Sequence, residues 1–99
     1  MILLVTYDLK APSSQYTSLY EYLKSHTGWM HYLASTWIID TNKNPDEITD
    51  EIRKHLKISD LLIVVQFDKP YQGLLPEKAW GWVKKHKEQA QNKTEAKTT

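Results

Sequence analysis

A few polar side chains in this 99-residue sequence could do chemistry. An imidazole changes charge near neutral pH, so His31 could act as a general acid or base, or it could be a partly exposed strand residue. Thr6 and Gln66 interrupt otherwise apolar runs. They could line a polar pocket beside Asp8, or each could make a single hydrogen bond within a sheet.

Large aromatic side chains are the second feature that could bind a ligand, because the chain holds four tryptophans and six tyrosines. Exposed rings stack on nucleobases, at about 1–3 kcal/mol per base, whereas buried rings fill a core or a dimer interface. We assign Trp37 and Trp82 to the core or to an interface. The candidates for stacking on a ligand are Tyr7, Trp29, Tyr32 and Tyr71.

Composition excludes several kinds of site. The chain has no cysteine, which excludes a disulfide scaffold, a cysteine nucleophile and a cysteine zinc site. It also has no glycine-rich phosphate loop, no Ser-His-Asp arrangement and no HExxH motif. The N-terminal apolar run is far shorter than a membrane span or the core of an export signal, so we expect a cytoplasmic protein with no membrane partner.

The formal net charge of +1 hides two segments of opposite sign. Residues 1–83 contain eight basic and ten acidic residues, a net charge of −2, whereas residues 84–99 contain five lysines and two glutamates, a net charge of +3. The lysines of the second segment could contact a phosphate backbone, or they could keep a helix end in solvent. Nucleic-acid binding by the first segment must overcome its mild negative charge.

Hydrophobic patterning predicts the strands that carry these residues. The apolar, β-branched runs at residues 1–8 and 61–67 are typical of buried strands, which are short and bounded by turn residues. Residues 29–40 are too aromatic and β-branched for a good helix. They are predicted as two strands that meet near residues 33–35, or as one long bent strand.

Helical periodicity appears in three other segments. Apolar residues recur at helical spacing over residues 16–23, and Gly28 lies where that helix should end. Asn44 followed by Pro45 and Glu47 predicts an N-cap with a capping box, which opens a second helix. A last helix is predicted to begin at residues 76–77.

The predicted order β-α-β-β-α-β with one additional C-terminal helix is the split βαβ order of an α+β, ferredoxin-like fold. We expect a domain at residues 1–86 and a basic, flexible tail at residues 87–99. Two helices cover only one face of a four-stranded sheet, yet the first and last strands are apolar on both faces. The terminal helix and a second copy of the chain could cover the other face, which predicts a homodimer; the alternative is a monomer capped by the terminal helix alone.

Short motifs in this plan resemble the CRISPR-associated protein 2 family, with its relatives the VapD toxins and the SinR-like small proteins. They are Val5-Thr6-Tyr7-Asp8 at the end of the first strand, Gly28 before the second and Ser35-Thr36-Trp37 in the third. His31-Tyr32-Leu33 and Leu75-Pro76-Glu77-Lys78-Ala79-Trp80 are most similar to the SinR-like group. The resemblance covers roughly residues 1–86.

The resemblance implies a ferredoxin-like homodimer in which Asp8 lies near the dyad, with Tyr7 and Ser35 as neighbours. Two copies of Asp8 would then hold Mg²⁺ or Mn²⁺ for phosphodiester hydrolysis, with His31 as the candidate acid or base. The chain departs from the family's pattern in having a single arginine, Arg53, and a C-terminal helix in place of an exchanged strand.

Three functions therefore stay open at the level of sequence. The first is a metal-dependent endonuclease or endoribonuclease that uses paired Asp8 residues. The second is a non-catalytic dimer that binds nucleic acid or a small nucleotide. The third is a protein-interaction adaptor whose site has decayed. The acidic body and the scarcity of arginine favour a compact nucleotide over a long polyanion.

Overall fold

A computed structural model describes the backbone of residues 1–98 and the side chains of residues 1–89. In these residues it is a mixed α+β structure with a four-stranded antiparallel sheet and three α-helices, and a short 3-10 turn (Ser13–Tyr16) leads into the first helix. The elements are β1 (Ile2–Asp8), α1 (Thr17–Lys24), β2 (Gly28–Leu33), β3 (Thr36–Asp40), α2 (Pro45–Arg53), β4 (Leu61–Gln66) and α3 (Glu77–Thr98).

The strand order is β2-β3-β1-β4, with every neighbouring pair antiparallel. β1 is therefore a central strand, and Leu3 lies opposite Ile39 of β3 on one side and Gln66 of β4 on the other. β2 and β3 form a hairpin, as the first of the two alternatives for residues 29–40 predicts, with an irregularity between Met30 and Leu33. β2 and β4 are the edge strands.

α1 and α2 pack against one face of the sheet, here called the helical face. Its core consists of fully or nearly fully buried side chains from β1, β3, the 3-10 turn and both helices: Leu3, Val5, Tyr16, Leu19, Leu23, Trp37, Ile39, Ile48 and Ile52. α2 begins where the sequence predicts. The Asn44 side chain accepts a hydrogen bond from the Glu47 amide at 2.9 Å, and the Glu47 carboxylate accepts one from the Asn44 amide at 3.2 Å. Such caps stabilise a helix by about 1 kcal/mol.

α3 packs over β1 and β2 on the opposite face, here called the α3 face. A second, smaller core joins Ile2, Met30 and Ile38 of the sheet to Ala79 and Val83 of the helix. The strand alternation that sends Leu3 and Val5 to the helical face thus sends Ile2 and Leu4 to this one. α3 confirms the predicted terminal helix.

The middle of α3 is anchored by His86, whose Nδ1 lies 2.7 Å from a carboxylate oxygen of the buried Asp40. The Trp82 ring stacks on the imidazole with a centroid distance of 4.1 Å. Gly28 lies beneath the same imidazole, since a Cβ added there would be 2.5 Å from His86 Cε1. The glycine predicted to end the first helix therefore has another role, because α1 ends at Lys24 and Gly28 opens β2 with room for the imidazole.

The backbone of α3 continues to Thr98, through most of the segment predicted as a basic tail. Residues 88–98 are mostly good helix formers, which explains this continuation. The flexibility predicted for this segment stays a prediction. Within the part of the chain that the structure describes, none of the helices combines the length and apolar character that a membrane span requires.

Gly28→Ala should destabilise the protein by about 1–3 kcal/mol, since the new methyl group forces His86 away from Asp40. The matched control is Gly81→Ala, because a Cβ at this exposed helical position meets nothing within 4 Å. The control should stabilise the protein by about 0.5–1 kcal/mol. Urea unfolding of the two variants measures both effects, and equal stabilities would contradict the close contact.

Candidate active-site region

Asp8 lies at the end of β1, opposite Leu61 of β4, on the α3 face but beyond the part that α3 covers. Its side chain is 62% exposed and pairs with Lys10, whose Nζ lies 2.6 Å from a carboxylate oxygen. Lys10 is itself half exposed. The carboxylate is therefore accessible to solvent and to ligands, and a flexible ammonium already neutralises it.

Threonine hydroxyls adjoin Asp8 along the same face. The Oγ1 atoms of Thr6 and Thr36 lie 2.9 Å apart across neighbouring strands, and Thr6 Oγ1 also donates to the Ser35 carbonyl at 3.2 Å. The Tyr7 amide donates to the same carbonyl at 3.1 Å. The β2–β3 turn is thus held against the end of β1, which brings Ser35 and the Thr6 hydroxyl to the same end of the sheet as Asp8.

Apolar side chains surround these hydroxyls, and we call this group the uncovered patch. By strand register its members share the face of Asp8, and each is exposed in the single chain: Leu33, Leu61, Ile63 and Val65. Three members of the patch belong to the edge strand β4 and lie on the α3 face, beyond the part that α3 covers. α1 and α2 pack on the opposite face of the sheet. Exposed apolar groups that adjoin one another on a sheet are typical of an interface.

Asp60 fixes the loop that follows Asp8, although the sequence analysis did not single it out. Its two carboxylate oxygens accept hydrogen bonds from the Lys10 amide at 2.8 Å, the Lys57 amide at 2.7 Å and the Tyr16 hydroxyl at 2.8–2.9 Å. Burial raises the pKa of Asp60, but these hydrogen bonds outweigh it and hold the pKa below its usual value. The short Ser-Asp step before the apolar run of β4 is a turn signal that could have identified this residue.

His31 lies on the helical face and is therefore separated from Asp8 by the sheet. Its ring stacks on the buried Trp37 at a centroid distance of 3.9 Å, and its Nε2 lies 3.0 Å from the Ala34 carbonyl oxygen. Tyr7 is on this side too, where its hydroxyl accepts a hydrogen bond from Trp37 Nε1 at 2.9 Å. Within one chain, the two candidate catalytic residues do not face a common site.

The remaining candidates are dispersed. Gln66 lies opposite Leu3, so its side chain shares the helical face and not the face of Thr6 and Asp8. Tyr71 stacks between Phe67 and Trp80 at centroid distances of 4.4 and 6.2 Å, at the opposite end of the sheet. Tyr32 and Trp29 are exposed on the edge strand β2.

A second polar cluster joins the end of α1 to α2. The Glu51 carboxylate binds both Lys43 and the Tyr22 hydroxyl, and the Lys43 ammonium followed by the Tyr22 hydroxyl lowers the pKa of Glu51. His26 meets the Tyr22 ring edge-on at 4.9 Å. In the part of the chain with described side chains, Nε2 of His26 is buried with no hydrogen-bond partner. Burial lowers the pKa of His26, with the nearby Glu51 opposing this effect and Lys43 adding to it.

Among residues 1–89, no three histidine, cysteine, aspartate or glutamate side chains come together as a metal-binding group. At this end of the sheet one chain has the carboxylates of Asp8 and Asp60, but both oxygens of Asp60 already accept hydrogen bonds, which leaves Asp8 as the carboxylate for a cation. Hard cations take further ligands from water and substrate phosphates, so a single carboxylate is compatible with a site that a second chain or a phosphate completes.

Comparison of the chain with protein-family models, with curated proteins and with solved structures finds no significant match.

His26 should make the fold less stable as the solution becomes more acidic. Because its pKa is lower in the folded chain than in the unfolded chain, the unfolded state binds the proton more readily as the pH falls below about 7. His26→Phe keeps a ring against Tyr22 but cannot titrate, so its free energy of unfolding should decline less over this range. Urea unfolding at several pH values measures the difference, and a constant difference across the range would contradict the assignment.

Proposed function

We propose that this protein is a homodimeric, metal-dependent phosphodiester hydrolase that acts on RNA or DNA and resembles CRISPR-associated protein 2 and VapD. Its fold is ferredoxin-like with an additional C-terminal helix. Read from β4, the strand order β4-β1-β3-β2 interleaves the β1-α1-β2 and β3-α2-β4 halves, which supports this part of the proposal.

The observation that carries the proposal is the position of Asp8 at the border of the uncovered patch. An exposed carboxylate beside Leu61 and Ile63 would reach the edge of an interface formed by two such patches. In a twofold dimer the same surface meets itself, and an axis that passes beside Asp8 would bring the two carboxylates together. Each chain would supply one of the two carboxylates that bind the cation, and burial of the uncovered patch would drive the two chains to associate.

Bound at the paired carboxylates, Mg²⁺ or Mn²⁺ would activate a water and neutralise charge on the scissile phosphate. Asp8 would hold the cation, in place of the ion pair that it makes with Lys10 in the single chain. Lys10 has a long, half-exposed side chain and would turn to a phosphate oxygen of the substrate. The Asp60 hydrogen bond to the Lys10 amide keeps the backbone of this loop in place during that exchange.

The hydrolase can be tested with labelled single-stranded RNA and DNA in the presence of Mg²⁺ or Mn²⁺. We expect cleavage by the wild type and only background cleavage by Asp8→Asn, which keeps the size of the side chain but removes its charge. The matched control is Asp68→Asn. Asp68 forms a similar ion pair at the other end of the sheet, where Lys87 Nζ lies 2.9 Å from its carboxylate oxygen. Removal of the Asp68 charge should leave cleavage unchanged.

Two results would contradict the hydrolase. One is a wild type that cuts neither nucleic acid with either cation. The other is equal loss of cleavage in Asp8→Asn and Asp68→Asn, which would trace the effect to general electrostatics. Circular dichroism of both variants shows whether each is folded.

The dimer has a separate test in the uncovered patch. Ile63 is 57% exposed, and Ile63→Lys should give a monomer because a lysine within an apolar interface is buried without a partner. Leu74→Lys is the matched control, since Leu74 is 100% exposed and lies outside the patch. Sedimentation velocity should give a dimer for the wild type and the control. A monomeric wild type would exclude the shared-carboxylate mechanism.

A further inference from the structure

We propose that Trp29, His31 and Lys24 form a binding site for one unpaired nucleobase and its phosphate, on the helical face beside edge strand β2. The inference rests on the proposed nucleic-acid function and deepens it, because it makes the substrate single-stranded. It concerns the face of the sheet opposite to Asp8.

The site is built on Trp37, which is 1% exposed and supports two rings that reach solvent. Trp29 is 40% exposed and its ring centroid lies 5.4 Å from that of Trp37, with 46° between the planes. The His31 ring is nearly parallel to Trp37, at 13° and 3.9 Å. Its inner side is covered by the indole, and the residue as a whole is exposed.

The Trp37 and His31 rings are held in place before any ligand arrives. Tyr20 stacks on Trp37 at 6.3 Å, and the Tyr7 hydroxyl accepts a hydrogen bond from the Trp37 indole. His31 Nε2 is tied to the Ala34 carbonyl at 3.0 Å. A base that stacks on fixed rings costs less conformational entropy than one that must order them.

Lys24 supplies the charge of the site. Its ammonium lies over the face of the Trp29 ring, 5.3 Å from the centroid. A base that stacks on Trp29 would take this place, and the flexible lysine side chain would turn to the phosphate of the same nucleotide. Among the side chains that the structure describes, Lys24 forms no ion pair, and the acid nearest in sequence, Glu21, is one helical turn earlier. The site thus offers one cation for a phosphate and two aromatic rings for a base, which are the two parts of a single nucleotide.

The chemistry selects an unpaired base over a duplex. Stacking on side chains needs a free base face, which paired bases inside a helix do not offer. The chain also has a single arginine and a mildly acidic body, so it is poorly equipped to follow two phosphate backbones. Stacking draws on the abundant aromatic residues instead.

The location of the site fits the proposed hydrolase. β3 separates β2 from β1, so roughly 10 Å lies between the strands that carry His31 and Asp8. The β2–β3 turn at Ala34 and Ser35 lies at the end of the sheet where a nucleic-acid strand would pass from one face to the other. A flexible single strand bends over such an end, whereas a stiff duplex resists it.

The test uses Asp8→Asn throughout, so that binding is measured without cleavage. Three ligands are compared. Uridine monophosphate presents the base as a free nucleotide, a short labelled single-stranded RNA presents it within a chain, and the matching duplex presents it paired. We expect both unpaired ligands to bind and the duplex to bind much more weakly. Adding Trp29→Ala should weaken binding of the single strand about tenfold or more, and Trp29→Phe should restore part of the loss.

The control for the aromatic ring is Trp80→Phe, because Trp80 stacks on Tyr71 at the other end of the molecule. Its dissociation constant should equal that of the parent. Lys24→Gln should reduce the slope of log Kd against log salt by about 0.7, as expected for one lost phosphate contact on a single strand.

The outcomes separate this inference from the hydrolase. Binding by Asp8→Asn that depends on Trp29, together with a wild type that cuts neither RNA nor DNA, would support the base site and overturn the hydrolase. Cleavage by the wild type with equal binding by Trp29→Ala and its parent would do the reverse. Equal affinity for duplex and single strand, or no binding of either unpaired ligand, would overturn the base site.

Discussion

β1 is the element on which the rest of the structure depends, because its side chains enter both cores. Alternate residues of this central strand point to opposite faces, and both sets are apolar until Thr6. A strand of this kind is stable only if both faces are covered, since burial of apolar surface is the main favourable term in folding. α1 and α2 cover one face, and α3 covers only part of the other. The uncovered patch follows from that shortfall.

The attachment of α3 rests on a small set of polar and close contacts as well as on its apolar residues. Asp40 is buried, and its carboxylate has the His86 imidazole as a partner. A buried carboxylate without a partner is strongly destabilising, so this pair fixes where α3 lies on the sheet. The absence of a side chain at Gly28 lets the two elements approach closely enough for the pair to form.

Much of the secondary structure follows from local sequence, whereas the sites depend on contacts between distant residues. The capping box at Asn44 and the strand patterns are local signals, and the structure has the corresponding elements. The role of Gly28 does not follow from local sequence, because its neighbour His86 is 58 residues away. The separation of His31 from Asp8 depends on the irregular register of β2, which no local pattern specifies. The role of Asp60 does not follow from local sequence either, because its hydrogen-bond donors include Lys10 and Tyr16, which are more than 40 residues away.

β4 has a consequence for how the chain behaves when it is made and concentrated. It is an edge strand with exposed Leu61, Ile63 and Val65, and natural proteins usually protect such edges with charges, proline or a covering element. Unpaired backbone groups beside apolar side chains are a template for irregular strand-to-strand association. A specific partner surface on this side would therefore act as a protection against aggregation.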